Sequence, residues 1–192
     1  MGNWESNPTL TNCTFSSNSA NSVGGITCGG NPVGLVTLIN CIVWDNVPAT
    51  DQIRGHIYVF YSDIQGGWPG VNNIDIDPLF ANPGYWADAI DTNIIAEPND
   101  LPQGIPDWTN AVWIDGDYHL KSQAGRWDPS SGSWPCTESG AGWVVDDITS
   151  PCIDAGDPNS SVGDEPEPNS GRINMGAYGG TIEASKSYDE SF

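Results

Sequence analysis

The chain has 192 residues, 38% of them hydrophobic and nine of them Trp, which is enough for one domain with a core and excludes wholesale disorder. Its 23 Gly and 15 Pro, set among many Asn, Ser, Thr and Asp, exclude long helices and predict short strands joined by turns. With 25 acidic residues against five basic ones, a formal net charge of −20 excludes a nucleic-acid-binding surface, and no apolar run approaches the ~20 residues that span a bilayer.

The opening MGNWES reads as turn residues with no signal peptide behind Met1, so a preceding segment is expected. TLTNCTF at 9–15 then recurs as TLINCIV at 37–43, and a third copy lies within IYVFYSDIQGG at 57–67. Aligned, Leu10, Asn12, Cys13 and Phe15 fall opposite Leu38, Asn40, Cys41 and Val43, and then opposite Val59, Tyr61, Ser62 and Ile64. Within each copy the apolar alternation changes phase. A flat strand cannot keep Leu10 and Phe15 on one face, because a one-residue slip turns every side chain over. A bend at Asn12, Asn40 and Tyr61 can, and Asn suits a left-handed corner. VGGITCGGN at 23–31 adds a short strand with Ile26 and Cys28 inward. Stacked coils are therefore expected over residues 1–80, about three in number, as a parallel β-helix with Leu10, Phe15, Ile26, Cys28, Leu38, Cys41, Val43, Val59 and Ile64 inside. The rival architecture is an antiparallel β-sandwich, which does not require the phase break to recur.

Residues 81–116 are rich in Pro, Asp and Trp and read as a loop excursion. DYHL at 117–120 reads as a returning strand, and SPCIDAG and INMGAYGG as a terminal strand with turns, so that residues 117–182 form a terminal coil and cap over the open edge. Residues 183–192 read as a flexible tail. Cys13, Cys28 and Cys41 read as small buried hydrophobes. Cys136 and Cys152 are either two free thiols or a disulfide in an oxidising compartment.

NPTLTNCTFSSNSA, GGITC, NIDIDPLF, DYHLKSQAGRWDP, SPCIDAGDP and GRINMGAYGGT together resemble the C-terminal region of secreted bacterial right-handed parallel β-helix proteins of the pectin-lyase-like group. The likeness covers most of residues 7–186. It implies a right-handed helix, an extracellular or cell-surface location and contact with polysaccharide, while the group's activities range from lyases and glycoside hydrolases to adhesins. Relative to that group the chain lacks the coils that would precede Asn7, which leaves the first coil open to end-to-end self-association.

Chemistry is sparse. Lyases of the resembled group use a basic residue beside a uronate whose carboxylate is neutralised by Ca2+ or Arg; here His56, His119, Lys121, Arg54 and Arg126 are the only bases or clamps. With Tyr118 and Leu120 facing in, His119 and Lys121 would share an outer face. Glycoside hydrolysis needs two carboxylates ~5–9.5 Å apart, for which Asp45 and Asp63 are candidates although they sit at different offsets in the repeat. Asp75 and Asp77, and Asp154 and Asp157, place hard oxygen ligands on short turns that suit Ca2+, without matching an EF-hand loop. Trp68, Trp86, Trp108, Trp113 and Trp127, with Trp134 and Trp143, lie in or beside loops, where flat rings either stack on sugars or staple the loops down. The expectation is a secreted, non-catalytic module that binds polysaccharide or a cell-surface glycan; the alternative is a fragment of a polysaccharide lyase or glycoside hydrolase.

Overall fold

The computed structural model describes residues 1–4, 6–30, 34–47, 49–92, 111–131 and 142–187. The first part of the chain makes ten short strands: β1 (Gly2–Trp4), β2 (Thr9–Thr11), β3 (Thr14–Ser16), β4 (Ile26–Gly29), β5 (Val36–Ile39), β6 (Ile42–Trp44), β7 (Ile53–Gly55), β8 (Ile57–Phe60), β9 (Asp63–Ile64) and β10 (Gly70–Val71). They sort into three parallel sheets, β1–β4–β7, β2–β5–β8–β10 and β3–β6–β9. In each round the chain lays one strand in each sheet, then begins again one strand further along. No antiparallel pairing joins the three aligned copies, so the sandwich alternative fails.

The register is the one the repeat predicts. Leu10 pairs with Leu38 and Leu38 with Val59, while Phe15 pairs with Val43 and Val43 with Ile64. A fourth, shorter round follows that the repeat did not announce, with Gly70 opposite Val59 and Ile74 bridged to Asp63. The corners are left-handed at Asn12 (φ 51°), Asn40 (φ 55°), Tyr61 (φ 49°) and Asn72 (φ 52°). A second set follows at Ser17, Asp45 and Gly66. Residues stacked in parallel register face the same steric problem at the same place, which is why a bend tolerated by Asn recurs there. Gly55 meets a tighter demand: at φ 108° a Cβ would lie 1.9 Å from the Cys28 carbonyl oxygen.

The nine residues expected inside all belong to one core cluster with Val36, Ile53 and Ile57. Leu10 and Phe15 are only half-buried. Their strands β2 and β3 are outermost in their sheets, and no described strand covers them. The opening residues are not a turn. Residues 2–4 form β1, in register with Thr27–Gly29 of β4, and the Met1 ammonium donates to the Gly25 carbonyl.

Beyond β10 the pairing turns antiparallel. β11 (Phe80–Asn82), β12 (Tyr85–Asp88), β13 (Ala111–Ile114), β14 (Asp117–Leu120), β15 (Arg126–Trp127) and β16 (Trp143–Val144) pair as β11–β14, β12–β13 and β15–β16. The excursion at 81–116 therefore contains a β-ribbon, and DYHL is a strand as expected. A second cluster, Ile42, Phe80, Leu120, Cys152, Ile153 and Met175, joins the stacked rounds to the C-terminal part.

The expected terminal strand is absent: residues 150–187 are turns and bends with no strand. Their backbone is satisfied by side chains instead. Buried Glu165 accepts from the Asn174 and Gly180 amides through Oε1, and Asn174 Nδ2 donates to the Ser185 carbonyl. Nor is the described start of the tail free. Ala184, Ser185 and Ser187 are buried, and the Lys186 amide bonds to the Gly125 carbonyl; residues 188–192 lie outside the described residues.

Candidate functional site

The corner ladder is a docking rail for the C-terminal turns. Asn40, fully buried, accepts the Asp157 amide at 2.7 Å through Oδ1, and its Nδ2 donates to Asn12 Oδ1 and Ser160 Oγ at 3.3 Å. Asn12 Nδ2 donates to the Asn174 and Gly176 carbonyls. At the third corner the Arg172 guanidinium lies 5.9 Å from the Tyr61 ring centroid. One side of the stack is thereby closed to ligand.

His119 and Lys121 do not make a basic patch. His119 is 1% exposed, stacked on Tyr178 with ring centroids 3.6 Å apart. Its Nδ1 lies 2.5 Å from Asp117 Oδ1 and its Nε2 is 3.5 Å from Glu183 Oε2. Asp117 also holds Arg126 at 3.0 Å, and Arg126 bonds Asp146 at 3.1 Å. The alternation argument fails here because β14 is covered on both faces: Leu120 enters the second core cluster, and the side bearing His119 is sealed by Tyr178 and Glu183. Burial raises the Tyr178 phenol, with the charges of Asp117 and Glu183 adding to it. The assembly is an Asp–His–Glu clasp whose reactive nitrogen is enclosed.

Asp45 and Asp63 occupy different stations. Asp45 is an exposed corner residue whose amide donates to Gln65 Oε1 and whose Oδ1 accepts from Gln65 Nε2. Asp63 has no exposed surface; it accepts from the Cys152 thiol at 3.2 Å and the Ile76 amide at 3.2 Å. Burial pushes its carboxyl up to about 7, against those two bonds and helped by Asp75 and Asp77. Cys152 is a free, buried thiol with Asp63 as its partner; Cys136, its counterpart in the alternative disulfide, lies outside the described residues. Burial, and next the Asp63 charge, raise that thiol well above its ordinary range.

Three of the four Ca2+ candidates hold nearby turns, and the fourth, Asp154, ties the end of the described chain. Asp75 accepts from the Gly66 amide, Asp77 from the Leu79 amide, Asp157 from the Asn159 amide and side chain, and Asp154 from the Ser187 hydroxyl. Among the described residues no three His, Cys, Asp or Glu side chains converge as a metal site.

The tryptophans divide. Trp127 is 2% exposed and packs edge-on against Trp143, so it is a core residue and not a sugar platform. Trp68 is half-buried against the first core cluster with its indole N–H donating to the Ile57 carbonyl, the staple of a loop. Trp86 and Trp113 pair across β12–β13 with centroids 5.3 Å apart, both half-buried. Trp108 and Trp134 lie outside the described residues.

The exposed surface that stands out is one that the Trp count obscured. Along β2, β5, β8 and β10 the residues between the buried Leu38 and Val59 positions point outward: Thr9, Thr37 and Tyr58 in one column, Thr11, Ile39, Phe60 and Val71 in the next. Tyr58 is 59% exposed, Val71 51%, and Ile39 and Phe60 belong to neither core cluster. None of the seven is charged, on a chain carrying −20. The same parity that placed Leu10, Leu38 and Val59 inside places their neighbours here, so the signal was present in the repeat. Among the described residues no helix is long and apolar enough to cross a membrane.

Comparison with protein-family models, with curated proteins and with solved structures finds no match to this chain.

Proposed function

We propose that the chain is a right-handed parallel β-helix module of the secreted, pectin-lyase-like kind it resembles, and that it binds neutral extracellular polysaccharide on the outer face of the β2–β5–β8–β10 sheet without transforming it. The observation that carries this reading is the uncharged, aromatic and hydroxyl-bearing face on a strongly acidic body. Tyr58 and Phe60, with ring centroids 6.4 Å apart, offer apolar surfaces to sugar rings. Thr9, Thr11 and Thr37 offer hydroxyls that both donate and accept. A polyuronate would meet the repulsion of the surrounding acids, whereas a neutral chain does not.

Catalysis is disfavoured on specific grounds. Of the candidate lyase bases and clamps, His119 is enclosed with its Nε2 against Glu183 and Arg126 is held by Asp117 and Asp146, which leaves the exposed His56 and Arg54 without a partner set among the described residues that would position a uronate. A hydrolase needs two reachable carboxylates, yet Asp63 is fully buried. Incubation with neutral polysaccharides and polyuronates, with and without Ca2+, tests the reading: retention on neutral chains without unsaturated products or new reducing ends supports it. Turnover of any member of the panel would favour the enzyme reading instead.

A second proposal rests on the edges of the sheets. β1, β2 and β3 are each outermost at the same end of their sheets, and β2 and β3 bring half-buried Leu10 and Phe15 with them. Such an end pairs readily with another strand, so copies associate through it.

A further inference from the structure

Cys13 and Cys41 stand directly one above the other. Thr11 opposite Ile39 and Thr14 opposite Ile42 leave them at the same corner position of successive rounds. Neighbouring parallel strands lie ~4.8 Å apart, within the ~4.4–6.8 Å of Cα separation that a disulfide spans. The Cys41 sulfur lies between the two rounds, 3.3 Å from the Ile39 carbonyl oxygen of its own and 3.5 Å from the Leu10 carbonyl oxygen of the previous one, and the Cys13 sulfur lies 3.4 Å from the Thr11 carbonyl oxygen. Cys41 is fully buried, whereas Cys13 is half-buried on the outermost round. The pair is asymmetric: one reachable thiol is backed by one enclosed thiol.

We propose that Cys13 and Cys41 form a redox-active dithiol that reacts with small disulfides, Cys13 as the attacking sulfur and Cys41 as the resolving one. The Cys13 thiolate attacks one sulfur of the small disulfide, forming a mixed disulfide and expelling one small thiolate, which takes up a proton. Cys41 then loses its proton and attacks the Cys13 sulfur, forming the Cys13–Cys41 bond and expelling the second small thiol. Two protein thiols are oxidised and one small disulfide is reduced to two thiols. The neighbouring Cys41 thiol holds Cys13 down to about 6 against its partial burial, which favours the thiolate at neutral pH. The same contact, with burial, pushes Cys41 upward until Cys13 is consumed in the mixed disulfide. The bond would tie the first two rounds together at the open end of the stack.

The test exposes the full chain to oxidised glutathione and follows intact mass and cross-linked peptides. The expected product has lost two hydrogens and yields a Cys13–Cys41 peptide. Before oxidation, iodoacetamide should label Cys13 at least about tenfold faster than Cys28, Cys41 or Cys152, since thiolate character and access both favour it. Cys41→Ser should trap glutathione on Cys13, and Cys13→Ser should leave Cys41 unmodified. Serine is accommodated at this station, because Ser62 occupies it one round on, bonding the Phe60 carbonyl and accepting the Cys41 amide. Labelling of Cys13 no faster than the others would overturn the proposal. So would a mixed disulfide that persists in the unsubstituted chain, or a cross-link that bypasses Cys41.

Discussion

Asn40 Oδ1 accepts the backbone N–H of Asp157 at 2.7 Å across 117 residues of chain, so a corner of the repeat is also the anchor of the C-terminal turns. Asn40→Ala removes this acceptor, leaves the Asp157 amide unpaired and puts a Cβ-bearing residue without a local polar side chain at φ 55°. We predict a loss of about 2–4 kcal/mol in urea unfolding. Asn40→Gly, which relieves the backbone but not the bonds, should recover only about 1 kcal/mol of it.

Asp63 makes stability depend on pH in an unusual direction. Its folded carboxyl is raised from 3.8 to about 7, so the folded state holds its proton more tightly than the unfolded chain. The contribution is complete below pH 3.8 and is lost as pH rises toward about 7. Glu165, also buried, is raised for the same reason and adds with the same sign. Asp63→Asn should flatten the profile between those limits by on the order of 4 kcal/mol. Unfolding midpoints measured from pH 4 to pH 8 check it; an unchanged slope would contradict the assignment.

The Asp117–His119–Glu183 clasp holds the fold and meets no ligand on the β2–β5–β8–β10 face. His119→Ala removes the ring stacked on Tyr178 and leaves two carboxylates facing an empty space. A loss of about 3 kcal/mol in stability is expected, with polysaccharide retention per folded molecule unchanged.

Self-association through the open end predicts an apparent mass that rises with concentration in light scattering. Phe15→Lys, placing a charge on the outermost round, should suppress that rise. A chain that stays monomeric across the series would contradict the proposal.

The stacked rounds were legible because parallel register makes equivalent residues meet the same environment: Asn12, Asn40 and Tyr61 had to bend alike, and Leu10, Leu38 and Val59 had to face alike. The C-terminal part was not legible, because its order is set by contacts distant in sequence. His119 looks like a solvated strand residue until Tyr178 and Glu183 close over it. Residues 150–187 look strand-like in places, yet Glu165 and Asn174 satisfy their backbone through side chains, which carry no periodicity. The tryptophans are alike as letters; burial alone separates Trp127 from a surface ring.

Tyr58→Ala and Trp127→Ala, compared in binding and in stability, separate a ring that meets sugar from one that holds the fold. Tyr58→Ala should leave the unfolding free energy within about 0.5 kcal/mol of the original and lower retention on neutral polysaccharide by at least about tenfold. Trp127→Ala should cost about 3–5 kcal/mol of stability while the molecules that remain folded bind as before. Retention unaffected by Tyr58→Ala, or absent from the unsubstituted chain across the neutral panel, would contradict the assignment of the β2–β5–β8–β10 face.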